Sequence, residues 1–296
     1  MDPVVAAVDI GGTKIAAGLV NAAGKILYRE EIPTQTNRGF NPVIQEVVSV
    51  LRRAAGNTDL CGVGVGCTGP VDPATGILGS VDLLPGWQGE NLASVFGDAF
   101  HLQVAVENDA DAAALAESAW GAGKDAKRFI YVTISTGIGA GLVFDGSLYR
   151  GAGGVHPEIG HQIIDPNGPG CACGAHGCWE SLASGSALGR AFAPLDARQV
   201  CQAAQQGERW AQRAVAQVAR YLGLGFANLV TMFAPDVIAV GGGLMNSKSI
   251  FWDTILETIQ THCGMVPDGQ TRLVPAALGS SVGLAGAAQA WFQRVF

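Results

Sequence analysis

Val4-Val-Ala-Ala-Val-Asp9-Ile-Gly-Gly-Thr-Lys-Ile15-Ala-Ala-Gly-Leu-Val20 is the stretch whose reading decides the fold. Val4 to Asp9 is apolar and rich in Val, so it reads as a strand. Gly11-Gly12 makes a tight turn, and Ile15 to Val20 reads as a second strand. The pattern returns later in the chain. Phe129 to Ser135 is apolar and β-branched, and Thr136-Gly-Ile-Gly-Ala-Gly141 interrupts it. There Ile138-Gly-Ala-Gly-Leu-Val143 echoes Ile15-Ala-Ala-Gly-Leu-Val20 at the same place in the expected hairpin. Ala, Gly, Leu and Val are common in this chain, so position carries the inference more than composition. Two halves that each open with a Gly-turned hairpin predict a duplicated α/β domain.

The remaining pattern fits that plan. Arg29 to Thr36 reads as extended, and Pro42 to Ala55 as an amphipathic helix through Val43, Val47, Val50 and Leu51. Leu60 to Cys67 alternates Gly with apolar residues. No helix follows Gly62-x-Gly64-x-Gly66, so it reads as a buried strand whose glycines allow close approach, and a dinucleotide fingerprint is excluded. Val104 to Glu107 is a short strand, followed by a helix at Ala110 to Trp120. Helices are expected at Arg198 to Gln206 and Arg209 to Ala227, with a strand at Val237 to Val240. Leu273 to Gln293 carries no charge but is rich in Gly, Ala and Ser, and reads as a strand and then a core helix. The expected division is an N-terminal lobe at 1–119, with the last helix (282–296) packing back on it, and a C-terminal lobe at 120–281. The hinge is expected near Ala119 to Lys127.

The 296 residues, 48% of them hydrophobic and 15% charged, make a globular chain with ample core. A net charge of −7 and the lack of a basic run argue against nucleic acid or an anionic membrane as partner. The N-terminal residues lack a basic region ahead of an apolar run, so a signal peptide is not expected. Three of the 7 Cys sit in one cluster, which points to a reduced, cytoplasmic, metal-binding protein and away from a disulfide scaffold.

That cluster is Glu158-Ile-Gly-His161 followed by Cys171-Ala-Cys173-Gly-Ala-His-Gly-Cys178-Trp-Glu180. Three thiolates and one imidazole suit tetrahedral zinc, so His161, Cys171, Cys173 and Cys178 are the expected structural ligands. His176 and His156 are rivals. A filled tetrahedron leaves no open position for water, which argues against a zinc hydrolase. Glu158 and Glu180 flank the cluster, and an ionised carboxylate accepts hydrogen bonds from neighbouring hydroxyls. With Asn108 and Asp109 they would line a polyol site, and His161 would serve metal and sugar with different ring nitrogens.

Asp9-Ile-Gly11-Gly12-Thr13-Lys14 and Ser135-Thr136-Gly137-x-Gly139-x-Gly141 offer two phosphate-binding turns, where backbone N–H groups face a phosphate with no Cβ in the way. A plain hairpin turn accounts for either one alone. Asp9 could hold Mg²⁺ directly or through water. Gly241-Gly242-Gly243, at a strand end, fits a third nucleotide contact. Asn108-Asp109 sits where a strand ends and a helix begins. Capping explains both residues, but Asp109 also suits a general base that takes a hydroxyl proton. Asp111 competes for that role, although the helix dipole is its ordinary explanation.

Taken together these motifs resemble the ROK family of sugar kinases, related repressors and uncharacterised proteins. Asp9-Ile-Gly-Gly-Thr-Lys14 resembles its first phosphate motif, and Glu107-Asn-Asp-Ala110 its catalytic segment. Glu158-x-Gly-His161 with Cys171-x-Cys-Gly-x-x-Gly-Cys178-x-Glu180 resembles its signature and zinc motif. The resemblance implies a bilobal actin-like ATPase (ribonuclease H-like) fold with a cleft, and an ATP- and Mg²⁺-dependent hexose kinase. It implies Asp109 as base, Gly69, Asn108, Glu158, His161 and Glu180 on the sugar, and a homodimer or homotetramer. Glucose phosphorylated at O6 is the expected substrate. N-acetylmannosamine, fructose and mannose are the alternatives within the family, and a non-catalytic sugar sensor is the alternative from another class. Against that sensor, the first strand begins by Val4, leaving no room for a helix-turn-helix. The chain departs from the glucokinase pattern at Thr68, where Pro is usual, at Leu83, where many glucokinases have Asn, and at His156-Pro157, which resembles the fructokinase branch.

Overall fold

The computed structural model describes residues 2–266 and 269–295. Met1 and Phe296, the ends of the first and last segments read from the sequence, lie outside the described residues. The chain divides into two compact units, one of 1–125, 146–156 and 277–296, the other of 126–145 and 157–276.

In the first unit, β1 (Val4–Ile10) turns back into β2 (Lys14–Asn21), which pairs with β3 (Ile26–Pro33). Helix α1 (Phe40–Ala55) leads to β4 (Leu60–Cys67). Helix α2 (Leu92–Phe100) precedes β5 (Val104–Asn108), and α3 (Asp109–Trp120) follows at once. The strand order is β3-β2-β1-β4-β5. The β1–β2 and β2–β3 pairs are antiparallel, whereas β1–β4 and β4–β5 are parallel.

In the second unit, β6 (Arg128–Ile134) turns back antiparallel into β7 (Ile138–Phe144). A two-residue strand, β8 (Ser147–Leu148), comes next in the chain. Helices α4 (Trp179–Ala183), α5 (Gly185–Ala191), α6 (Ala197–Gln205) and α7 (Arg209–Phe233) precede β9 (Val237–Gly241). Helix α8 (Trp252–His262) and β10 (Arg272–Pro275) complete this unit, and α9 (Val282–Val295) belongs to the first. Strand β6 pairs parallel with β9, and β9 with β10. The order β7-β6-β9-β10 therefore repeats β2-β1-β4-β5, with the same strand directions. Ile15–Val20 lies in β2 and its echo Ile138–Val143 in β7, so the sequence repeat marks equivalent strands of a duplicated fold.

The glycines of β4 serve close approach. A Cβ on Gly64 would lie 1.9 Å from the Ala287 carbonyl oxygen of α9, and one on Gly62 would lie 1.9 Å from Trp291 Nε1. Gly286 of α9 repeats the device, since its Cβ would stand 2.4 Å from the Ala112 carbonyl oxygen of α3. Small residues thus let α9 lie directly on sheet and helix, where larger side chains would hold it off by a methyl's width or more.

Several elements differ from the expected bounds. Helix α7 runs six residues past Ala227, because Leu229 and Val230 continue its buried stripe despite the β-branched Val230 and Thr231. Helix α2 was hidden by its short length of 9 residues, although Asn91 caps it by accepting the Ser94 N–H at 2.9 Å. Helix α8 buries little beyond Ile255, so its sequence shows only a weak stripe. Among the described residues no helix is long and apolar enough to cross a membrane.

The glycine contacts predict opposite signs for two Gly→Ala substitutions. Gly64→Ala pushes a methyl into backbone and should cost about 1–3 kcal/mol in urea unfolding. Gly97→Ala in α2 meets only ordinary contacts, the nearest at 3.7 Å from Val104 Cγ2, and should stabilise by roughly 0.5–1 kcal/mol. Equal effects at the two sites would refute this account of packing.

Candidate active site

The parallel strands of the first unit end together, the place where open α/β sheets hold ligands. Register sets Asp9 beside Gly66 and Gly66 beside Glu107; one residue on, Ile10, Cys67 and Asn108 form the next row. Asp9 and Asp109 are both half-buried. A Cβ on Gly66 would stand 4.0 Å from Asp9 Oδ1 and 4.0 Å from Asp109 Cα, so this glycine marks the gap between them. Asp9 Oδ2 also lies where Gly283, in the first turn of α9, has no side chain; a Cβ there would be 2.0 Å away.

These carboxylates hold protons more tightly than usual. Burial pushes Asp109 up to about 7, and the nearby Asp9 charge adds to the effect. The Ala110 N–H, donated to Asp109 Oδ1 at 2.8 Å, opposes the rise, as do His156 and the Thr68 hydroxyl. Burial likewise raises Asp9 to about 6 against the pull of Lys14 and Arg29. Burial and both Asp charges hold the Cys67 thiol well above its ordinary range.

Asn108 caps α3. Its Oδ1 accepts the N–H groups of Ala110 (2.9 Å) and Asp111 (3.3 Å), and its Nδ2 donates to the Gly69 carbonyl at 3.2 Å. Capping is therefore real, and the same side chain ties α3 to the Gly69 turn. The loop after that turn returns over both glycine turns. A Cβ on Gly69 would strike Val81 Cβ at 2.6 Å, and one on Gly12 would lie 2.8 Å from Leu83 Cβ. The turn from Gly11 to Lys14 closes through Gly11 N–H to the Lys14 carbonyl at 3.0 Å. Thr34 braces it, its Oγ1 donating to the Gly11 carbonyl at 2.6 Å and its N–H to the Thr13 carbonyl at 3.1 Å. Lys14 Nζ points to Glu31 Oε1 at 3.0 Å on the exposed side.

Asp111, the rival base, is fully buried and held on both sides: Arg150 Nη1 lies 3.3 Å and His156 Nδ1 2.9 Å from its Oδ2. Arg150 Nη2 also reaches Glu107 Oε2 at 2.5 Å. Burial keeps the Glu107 carboxyl raised in spite of that partner. Sequence reasoning missed Glu107 and Arg150 as a pair. Arg150 lies some forty residues from both carboxylates in a segment with no local pattern, and only Glu107, beside Asn108-Asp109, carried any signal.

In the second unit, the turn between β6 and β7 closes through Ser135 N–H to the Gly137 carbonyl at 2.9 Å. Gly185 and Ser186 donate their N–H groups to the carbonyls of Ser135 (2.7 Å) and Thr136 (3.1 Å). Thr136 and Gly243 line a cavity of about 710 Å³, with Ser186, Leu195, Leu244 and Asn246 on its walls. Gly242 has φ 92° and backs onto Ile134, where a Cβ would meet the carbonyl oxygen at 2.3 Å. Gly139 is not in the turn but in β7, opposite Thr133.

His161, Cys171, Cys173 and Cys178 gather with their ligand atoms all within 4.8 Å of one another. Cys171 Sγ lies 3.5 Å from His161 Nδ1, and Cys173 Sγ lies 3.5 Å from Cys178 Sγ. Tetrahedral zinc, with bonds of about 2.0–2.3 Å, needs donors roughly 3.3–3.8 Å apart; the two pairs at 3.5 Å meet that spacing, and the whole set is gathered close to it. His176 is exposed and outside the group; His156 faces Asp111 instead. Glu158 is exposed, and its carbonyl accepts the His161 N–H at 3.0 Å. Glu180 Oε2 accepts the Ile138 N–H at 2.8 Å.

The ROK family profile matches residues 5–294. The chain belongs to the ROK family. It is 34% identical to a glucokinase of Streptomyces coelicolor, over 95% of each chain. The structure of a ROK hexokinase from Thermus thermophilus matches with TM-score 0.89 at 36% identity, covering 100% of this chain and 99% of that one. A ROK glucokinase from Streptomyces griseus, solved with glucose and AMPPNP, matches with TM-score 0.82 at 31% identity, covering 97% and 98%. This ROK chain thus shares the actin-like ATPase fold of the family's sugar kinases.

Two predictions come from these groups. Purified protein should carry about one zinc per chain by elemental analysis, and Cys173→Ser should lose it with a fall in melting temperature. A metal-free wild type with the same melting point would refute the assignment. The second concerns Asp109. Between about pH 4 and 7 the folded chain retains a proton there that the unfolded chain has lost, so stability falls as pH rises. Asp109→Asn should therefore stabilise the protein at pH 8, on the order of 2 kcal/mol after allowance for partial exposure, and by almost nothing at pH 4. A variant less stable than wild type at pH 8 would count against the raised carboxyl.

Proposed function

We propose that this protein is an ATP-dependent hexose kinase with Asp109 as general base and glucose, phosphorylated at O6, as its preferred substrate. The observation that carries the reading is the Asp109 carboxyl, raised to about 7 and braced by Ala110 at the end of the parallel strands. A base poised near the working pH takes a hydroxyl proton most effectively, which typically contributes about 10²–10⁴-fold. The named activities of the similar glucokinase and hexokinase proteins support the same class of chemistry.

In this reading Asn108, Gly69, Glu158, His161 and Glu180 hold the sugar hydroxyls. Carboxylates accept from paired hydroxyls, and Asn108 Nδ2 keeps a second hydrogen for a sugar oxygen after serving Gly69. The nucleoside occupies the cavity beside Thr136 and Gly243. Gly11, Gly12, Thr13 and Lys14 on one turn, and Thr136, Gly137, Gly139 and Gly242 around the other, are assigned to the nucleotide and its phosphates. The crowding of Asp9 and Asp109, each pushed toward its neutral form, fits a site whose charge a divalent cation relieves. Mg²⁺ bound through Asp9 would supply charge neutralisation for the transferred phosphoryl group. What this chain's own residues contribute is alignment of hydroxyl and donor, removal of the hydroxyl proton by Asp109, and backbone N–H groups for the phosphates. Zinc on His161 and the three Cys would be scaffolding for Glu158 and Glu180. Assembly as a homodimer or homotetramer in the cytoplasm completes the proposal.

The test is a coupled ADP-release assay with glucose, mannose, fructose, N-acetylmannosamine and N-acetylglucosamine, each with ATP and Mg²⁺. Glucose should give the highest kcat/KM. Asp109→Asn should lower kcat by at least about 10²-fold while calorimetry still detects sugar binding. Near-normal kcat in that variant would remove Asp109 as base. No turnover of any sugar by the wild type, with sugar binding intact, would favour a sugar-sensing regulator instead.

A further inference from the structure

Ile138 is the residue at which the second phosphate turn enters β7. The segments assigned to the sugar hold both of its backbone groups. Its N–H donates to Glu180 Oε2 at 2.8 Å. Its carbonyl oxygen lies where a Cβ on Gly160 would come within 2.0 Å, so the Glu158–His161 segment presses directly on it. Gly137, one residue earlier, meets the same carboxylate: a Cβ there would lie 2.3 Å from Glu180 Oε2 and 3.8 Å from Oε1. No positive φ demands glycine at this position. What requires it is the carboxylate lying against its Cα.

A carboxylate has two oxygens and about four acceptor positions. Oε2 is committed to the turn, and Oε1 lies farther from it. One group therefore serves both the turn that would hold phosphates and the sugar hydroxyl assigned to Glu180. Its position is fixed from behind, because Cys178, two residues before it, is fully buried and belongs to the metal-type group.

We propose that Glu180 is a positioning residue that couples sugar binding to the phosphate turn. This rests on the reading of Glu180 as a sugar ligand. A sugar hydroxyl on one oxygen steadies the turn through the other, and a nucleotide seated on the turn steadies the carboxylate for the sugar. Such a coupling is reciprocal: each ligand tightens the other by the same factor, typically 5–150-fold.

Gly137→Ala tests it from the nucleotide side. The added methyl displaces Glu180 without altering it, so sugar affinity measured by calorimetry with no nucleotide present should fall about 10-fold or more. A sugar Kd within twofold of wild type would overturn the proposal. Glu180→Gln supplies an independent measurement should the alanine variant fold poorly. Its amide oxygen still accepts the Ile138 N–H, but its charge is gone. With sugar raised until calorimetry shows each protein saturated, the ratio of AMPPNP Kd values without and with sugar should be about 5 or more in the wild type and near 1 in Glu180→Gln. A ratio near 1 in the wild type, or an unchanged ratio in the variant, would overturn the coupling. A wild type that binds no sugar from the panel would instead defeat the sugar-kinase reading on which the coupling stands.

Discussion

Two carboxylates confined at the ends of parallel strands impose the constraint that the first unit is built around. Asp9 lies one residue before the end of β1, Asp109 opens α3, and Gly66 lies between them. Among the described residues neither carboxylate is opposed by a cation in hydrogen-bond contact, and both are held away from water far enough to raise their proton affinity. Such an arrangement costs stability, and chains keep costs of that kind where function needs them. The surrounding structure offsets part of it. Gly283 lets the first turn of α9 reach Asp9, and the cap of α3 directs its N–H groups at Asn108 and Asp109.

The neighbouring carboxylates are treated in the opposite way. Glu107 and Asp111 are buried more completely, yet Arg150 spans both and His156 meets Asp111. A buried charge must be paired or neutralised, and these are paired. The contrast falls within five residues of sequence: Glu107 and Asp111 tie segment 146–156 to α3 through ion pairs, whereas among the described residues Asp109 has no ion pair within 4 Å. The sequence favours Asp109 over Asp111 as a base because Asp111 sits within the first helical turn. The structure adds a second distinction, since Arg150 and His156 both lie against the Asp111 carboxylate.

Much of this could be read from the chain because it is local. Strand, glycine turn and strand are set by side-chain chemistry within about fifteen residues, and the echo between β2 and β7 exposed the duplication. The glycines of β4 announced close packing, although not that α9, more than two hundred residues away, was the partner. Asn108 read correctly as a cap. The parts that stayed hidden depend on contacts between distant segments. Arg150 has no periodic or motif context, Gly283 is one small residue in a run of them, and 146–156 returns to the first unit with no mark in its composition. The fate of His156 was equally invisible, because a histidine near a Cys cluster in sequence reads as a rival ligand until the fold carries it to Asp111.

The metal-type group shows how far local spacing can go and where tertiary structure takes over. Cys171 to Cys178 is a tight knuckle, with Cys171 N–H on the Ala175 carbonyl at 2.8 Å and Gly174 N–H on the Cys171 carbonyl at 3.0 Å. That geometry was implicit in the glycine-rich spacing. What the spacing could not reveal is that the chain on both sides of the knuckle converges on one residue, Ile138. Gly160, next to His161, bears on its carbonyl, and Glu180, just beyond Cys178, takes its N–H. A metal that closed the knuckle would fix both approaches at once, because each begins within two residues of a ligand. Its contribution would then reach past folding energy to the shape of the turn between β6 and β7. The glycine at 137 follows from the same arrangement: with the Glu180 carboxylate lying against its Cα, the turn has to give up its side chain.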